Sequence, residues 1–131
     1  MANQPPLILL VDDEPDIIAL YKTKLLREGF QVETAANGAE AIEVVKSKHP
    51  DLVLMDVKMP VMDGVAAQEG IRNDPTIKDT KVVFLTAFSD PIRPEVDKAF
   101  AKESGALDFI KKGINLDELM DKIRGYLALP Q

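Results

Sequence analysis

The chain has 131 residues, of which 46% are hydrophobic, and this length and composition are typical of one globular domain with a single core. No apolar run approaches the roughly 18 residues of a membrane-spanning helix, and acids follow the first apolar run too closely for a secretory signal, so we expect a cytoplasmic protein without membrane contact. The absence of cysteine excludes disulfides and thiolate metal sites, and the net charge of −6 argues against direct nucleic-acid binding.

Short apolar runs alternate with amphipathic segments along the whole chain. The apolar runs predict strands at residues 7–11, 51–55 (stopping at Asp56), 81–86 and 106–111, and the alternation of residues 31–35 predicts another strand there. The amphipathic segments predict helices from Pro15 to Gly29, from the cap residue Asn37 to Lys48, at 65–72, from about 94 to 105, and at 116–127. Strands separated by helices of this length predict an α/β fold, a five-stranded parallel sheet that is doubly wound. We expect a single domain over residues 1–131, with its core at about 6–129.

In an open parallel sheet, ligands bind outside the carboxyl ends of the strands. Five polar residues follow the predicted strands at that edge: Asp12, Asp13, Asp56, Thr86 and Lys112.

Three of these residues are carboxylates, and hard oxygen ligands that converge on one crevice suit Mg²⁺. Asp12 and Asp13 have a simpler interpretation as well, since Asp is common in a turn that caps a helix. Asp56 can act as a nucleophile toward phosphorus when a metal neutralises the phosphoryl oxygens. Alternatively, Asp56 only binds the backbone of the loop that follows its strand.

The fourth and fifth strands end in residues that could contact a phosphate. Thr86 offers a hydroxyl that could donate to a phosphoryl oxygen, although it could equally be an ordinary β-branched strand residue. Lys112 could place an ammonium against the acidic cluster, but charge alone does not distinguish it from Lys111 or from a solvated lysine. Phe109, in the fifth strand, reads from the sequence alone as a core aromatic.

Four segments together resemble the receiver domain of bacterial response regulators: LILLVDDEPDI (7–17), DLVLMDVKMPVMDG (51–64), VVFLTA (82–87) and GALDFIKK (105–112). The resemblance covers nearly the whole chain and implies a flavodoxin-like (βα)5 fold. It also implies that Asp12 and Asp13 are the acidic metal pair, and that Asp56 is both a metal ligand and the phosphoacceptor. The backbone carbonyl of Lys58 would complete the protein ligands of the Mg²⁺ cofactor.

The same resemblance assigns the remaining roles. Thr86 becomes the switch hydroxyl, Phe109 the switch aromatic, and Lys112 the phosphate-binding lysine, because it lies three residues after that aromatic. The implied function is a phosphorylation-dependent signalling switch, not a dedicated enzyme, although such a domain assists its own phosphoryl transfer and dephosphorylation. The implied phosphodonor is a sensor histidine kinase, a phosphotransfer protein or a small molecule. A downstream effector would bind the surface of the fourth helix, fifth strand and fifth helix. The resemblance also allows a dimer that forms on phosphorylation.

Two other functions were weighed. A Mg²⁺-dependent aspartyl-phosphate hydrolase shares the strand-end nucleophile, but typically carries a second Asp two residues later, where this chain has Lys58. A pseudo-receiver that binds partners without phosphorylation would not need the five polar residues.

The chain departs from the family pattern in two places. Gly113 follows Lys112 where the family has a proline, commonly with a cis bond; because a cis bond at a non-proline costs about 2.5–4 kcal/mol, the conformation of this bond is left open. The segment from Thr86 to Gly105 is about one helical turn longer than usual. We also expect slow hydrolysis of the phosphorylated form, because neither Lys58 nor Phe88 offers a base for the attacking water.

Overall fold

A computed structural model of the chain describes residues 3–86 and 103–130. Its strands are β1 (Leu7–Val11), β2 (Gln31–Ala35), β3 (Leu52–Asp56), β4 (Val82–Thr86) and β5 (Asp108–Lys111). Its helices are α1 (Pro15–Arg27), α2 (Gly38–Lys48), α3 (Gly64–Arg72) and a C-terminal helix (Leu116–Ala128). Phe88 and most of the helix predicted at about 94–105 lie outside the described residues. In the described ranges, no helix is both long and apolar enough to cross a membrane.

All five strands are parallel and their order in the sheet is β2-β1-β3-β4-β5. The predicted five-stranded parallel α/β sheet is therefore confirmed. The strand order reverses between β1 and β3, since the chain first adds β2 on one side of β1 and then β3 on the other. A crevice opens at such a reversal, outside the carboxyl ends of the two strands.

Strict alternation of side chains divides the core into two layers, one on each face of the sheet. On one face, Leu9, Val11, Val53 and Met55 pack against α2 and α3. On the other face, apolar residues of the same strands, beginning with Ile8, pack against α1 and the C-terminal helix. Burial on both faces explains why β1, β3 and β4 read as continuous apolar runs, and it fixes the register of these strands.

Local chemistry sets the boundaries of the described elements, which lie within two residues of the predicted ones. Asn37 caps α2 as predicted, because its side chain accepts a hydrogen bond from the Glu40 amide at 3.0 Å. β3 begins one residue later than predicted. The residue before it, Asp51, uses its buried carboxylate to accept a 2.7 Å hydrogen bond from the Leu7 amide, which ties the starts of β3 and β1 together.

Gly64 holds the loop after β3 against the strand it leaves. Its amide donates to the Val57 carbonyl at 2.8 Å, and the residue is buried. A Cβ at this position would overlap the backbone carbonyl oxygen of Asp56 and would lie 3.1 Å from Cα of Val57. Because backbone atoms cannot move aside cheaply, only glycine allows this close approach.

We therefore expect Gly64→Ala to lower the free energy of unfolding by about 1–3 kcal/mol, the usual cost of overpacking. Gly125→Ala is the matched control, because Gly125 lies within the C-terminal helix with no atom within 4 Å of an added Cβ. That substitution should raise stability by about 0.5–1 kcal/mol, since alanine is the better helix former. Urea denaturation of the two variants measures both effects, and a Gly64→Ala protein as stable as the parent would contradict the packing described here.

Candidate functional site

The crevice at the strand reversal brings two acidic residues together. The last residue of β1, Val11, pairs in register with Met55 of β3, so Asp12 and Asp56 come next on adjacent strands. Both carboxylates are almost fully buried, with 2% of Asp12 and 5% of Asp56 exposed. Two neighbouring buried carboxylates need a positive counter-charge.

Asp12 uses its two carboxylate oxygens differently. Oδ1 accepts a hydrogen bond of 2.9 Å from the Glu14 amide, which is the turn interaction that the simpler interpretation of this residue predicts. It does not cap α1, whose cap residue is Glu14 and has no side-chain capping bond. Oδ2 is buried without a hydrogen bond of good geometry among the described residues. Asp12 therefore shapes the turn with one oxygen and presents the other to the crevice.

Lys112 supplies the positive charge. Its Nζ lies 2.7 Å from Asp12 Oδ2 and 2.9 Å from Asp56 Oδ2, and 10% of its side chain is exposed. A longer contact of 3.4 Å reaches Glu14 Oε1, whose side chain is mostly exposed. Lys111, by contrast, ends β5 with an exposed side chain. The structure thus brings Lys112 to the acidic cluster and resolves the ambiguity between the two lysines.

The pKa values of this cluster reflect competition between burial and charge. Burial is the largest influence on Asp56 and raises its pKa above the usual value, against the hydrogen bond and charge of Lys112, which lower it. Burial lowers the pKa of Lys112, but the hydrogen bonds and charges of Asp12 and Asp56 outweigh it, and the net pKa is raised. The lysine is therefore firmly charged, while an ionised Asp56 is held in the folded state at an energetic cost.

The same acids can hold a divalent cation. Asp12, Asp13, Glu14 and Asp56 each offer a carboxylate oxygen, and these four oxygens lie within 4.8 Å of one another. Asp13 and Glu14 are exposed, so a hydrated ion can reach the group from solvent. Four converging hard oxygens fit Mg²⁺, which prefers carboxylates and keeps some of its water.

The remaining predicted site residues stand around this cluster. Thr86 ends β4 next to β3, and its carbonyl accepts a 2.7 Å hydrogen bond from the Lys112 amide. Lys58 is exposed in the loop after β3, and its backbone amide hydrogen-bonds to the Asp56 carboxylate. Phe109 lies in β5, half-buried against the core layer of α2 and α3. Glu14 was not singled out from the sequence, and its adjacency to the acid pair was the only available signal.

The chain is similar to proteins of one family. The family model for the response regulator receiver domain matches residues 8–124. Sporulation initiation phosphotransferase F of Bacillus subtilis is 37% identical over 123 residues, which are 93% of this chain and 94% of that protein. The crystal structure of the chemotaxis response regulator CheY4 of Vibrio cholerae superimposes with a TM-score of 0.81 at 30% identity, covering 92% of this chain and 98% of that one.

Other relatives are longer than this chain. The "Probable transcriptional regulator ycf27" of Pyropia yezoensis is 36% identical over 127 residues, which are 97% of this chain but 49% of that protein. The chain therefore spans about half the length of that relative and nearly all of the Bacillus protein.

We expect Asp13→Ala to weaken Mg²⁺ binding by at least about tenfold, roughly the loss seen when even an outer-shell partner of a metal is removed. Asp16→Ala is the control, because Asp16 is an exposed acid at the start of α1 that does not belong to the four-oxygen group. Titration calorimetry of both variants gives the two affinities. Equal Mg²⁺ affinities for Asp13→Ala and the parent would exclude Asp13 as an important metal contact.

Proposed function

The chain belongs to the response regulator receiver family, and from that premise we propose that Asp56 is the residue that takes the phosphoryl group. The chain is accordingly a phosphorylation-dependent signalling switch of a two-component system. The observation that carries the assignment of Asp56 is the contact of Lys112 Nζ with both Asp12 and Asp56 at the strand reversal. A fixed cation and a metal-binding group beside a carboxylate can stabilise the charge of a phosphoryl group that is transferred to it.

In the proposed transfer, an Asp56 carboxylate oxygen forms the new bond to phosphorus. The bond that breaks joins phosphorus to the donor: a histidine nitrogen of a sensor kinase or phosphotransfer protein, or the acyl oxygen of a small phosphodonor. Asp12, Asp13, Asp56 and the Lys58 carbonyl would hold Mg²⁺. The ion would supply positive charge that neutralises the phosphoryl oxygens. Lys112 Nζ lies 2.9 Å from Asp56 Oδ2. It is therefore placed to donate a hydrogen bond to an oxygen of a phosphoryl group bonded to Asp56.

The output of the switch would pass through Thr86 and Phe109. A phosphoryl group on Asp56 would draw the Thr86 hydroxyl toward it, and half-buried Phe109 would occupy the space this vacates. β5 joins the C-terminal helix through a hydrogen bond that Tyr126 donates to Asp108, so a change in β5 would reach the helix. We place the downstream partner, or a second copy in a phosphorylation-dependent dimer, on this surface together with the predicted fourth helix. We also propose that the protein is cytoplasmic.

The two alternatives are less well supported. A hydrolase would need an acid or base two residues after Asp56, and the exposed Lys58 cannot act as a base while charged. A pseudo-receiver would have no need of a lysine buried between two acids, which is costly to maintain. The expected slow hydrolysis stays a prediction, because Phe88, the second residue it involves, lies outside the described residues.

The direct test is labelling by acetyl phosphate with Mg²⁺, followed by intact mass. We expect the parent to gain one phosphoryl group and Asp56→Asn to gain none, because an amide oxygen is a far poorer nucleophile than a carboxylate. Asp63→Asn is the matched control: Asp63 caps α3 through a 2.8 Å bond from the Ala66 amide, and asparagine caps equally well. Full labelling of Asp56→Asn would disprove the assignment.

A further inference from the structure

The chain turns sharply immediately after Lys112, at Gly113. Gly113 has a φ of +92°, a left-handed conformation that side chains rarely tolerate, yet no atom lies within 4 Å of an added Cβ. Glycine is therefore needed here for its backbone and not for space. In the described ranges the one cis peptide bond precedes Pro5, so the Lys112–Gly113 bond is trans.

A glycine turn beside a site residue is a source of disorder, because glycine has more backbone freedom than any other residue. The backbone of Lys112 itself is bound to β4, since the Lys112 amide donates to the Thr86 carbonyl at 2.7 Å. The residue that follows Lys112 is held by a side chain instead. The Gly113 amide donates to the side-chain hydroxyl of Tyr21, on α1, at 3.4 Å.

Tyr21 is well suited to act as a fixed support. It is 2% exposed and packs in the core layer formed by α1 and the C-terminal helix. Burial of the ring leaves the hydroxyl in one place, and that hydroxyl reaches the turn that follows Lys112. The bond is long for N–H···O, so we expect its contribution to lie toward the lower end of the range for one hydrogen bond.

We propose that Tyr21 is a positioning residue for Lys112, acting through the Gly113 amide. The hydroxyl fixes the position of Gly113. Lys112 Nζ therefore stays between Asp12 and Asp56 although a flexible glycine follows the lysine. This inference rests on the proposed function of Asp56 and adds to it a residue from a helix that does not contribute to the acidic cluster.

Tyr21→Phe tests the proposal, because it removes the hydroxyl and keeps the buried ring. The matched control is Thr23→Val, which removes an exposed hydroxyl of the same helix; that hydroxyl donates to the Ala19 carbonyl at 2.8 Å and has no described contact with the turn. The initial rate of labelling by acetyl phosphate in saturating Mg²⁺ should fall about two- to tenfold for Tyr21→Phe, the factor that corresponds to one hydrogen bond. Thr23→Val should label at the parent rate.

Solvent exchange of the Gly113 amide, measured by NMR without phosphodonor, is the second readout. It should become about two- to tenfold faster in Tyr21→Phe, whereas the Ile114 amide, which bonds to the Lys111 carbonyl at 3.3 Å, should exchange as in the parent. Unchanged Gly113 exchange, or an unchanged labelling rate, would overturn the role of Tyr21. A parent chain that takes no label at all would instead overturn the proposed function, and the two failures are therefore distinguishable.

Discussion

One ion-pair cluster governs the geometry of the site: the Lys112 ammonium held between the buried carboxylates of Asp12 and Asp56. Without a cation between them, two like charges at neighbouring strand ends would repel in a largely buried site. The raised pKa of Asp56, due mainly to burial, shows that the ionised form is disfavoured even with the lysine present. The fold therefore maintains a carboxylate that gains from further positive charge, which is the property that a metal-assisted phosphoryl acceptor needs.

The register of the strands brings this cluster together, because β1, β3 and β5 end within two residue positions of one another. The register of β1 with β3 places Asp12 beside Asp56. The pairing of β4 with the edge strand β5 places Lys112, which follows β5, at the same end of the sheet. Two glycines complete the arrangement for different physical reasons. Gly64 lets the loop after β3 pass against the Asp56 backbone, while Gly113 supplies the left-handed turn after Lys112.

The sequence was a good guide to the elements and to the edge of the sheet where the site lies. β1, β2 and the cap at Asn37 could be read directly, because a buried apolar strand, an alternating edge strand and a capped helix each have a strong local pattern. The choice between Lys111 and Lys112 could not be made, since alternation at a strand end is uncertain by one residue and both residues carry the same charge. The contact of Tyr21 with Gly113 was also beyond local patterns, because it joins residues 92 positions apart.

The central claim is that the carboxylate beside Lys112 forms the covalent bond to phosphorus, and chemical mapping of that bond tests it most directly. The parent chain would be treated with acetyl phosphate and Mg²⁺, and the acyl phosphate then reduced with borohydride, which converts the modified aspartate to homoserine. Peptide mass spectrometry should find homoserine at position 56 and aspartate at positions 12 and 13. Homoserine at either of those positions, with unmodified Asp56, would contradict the account.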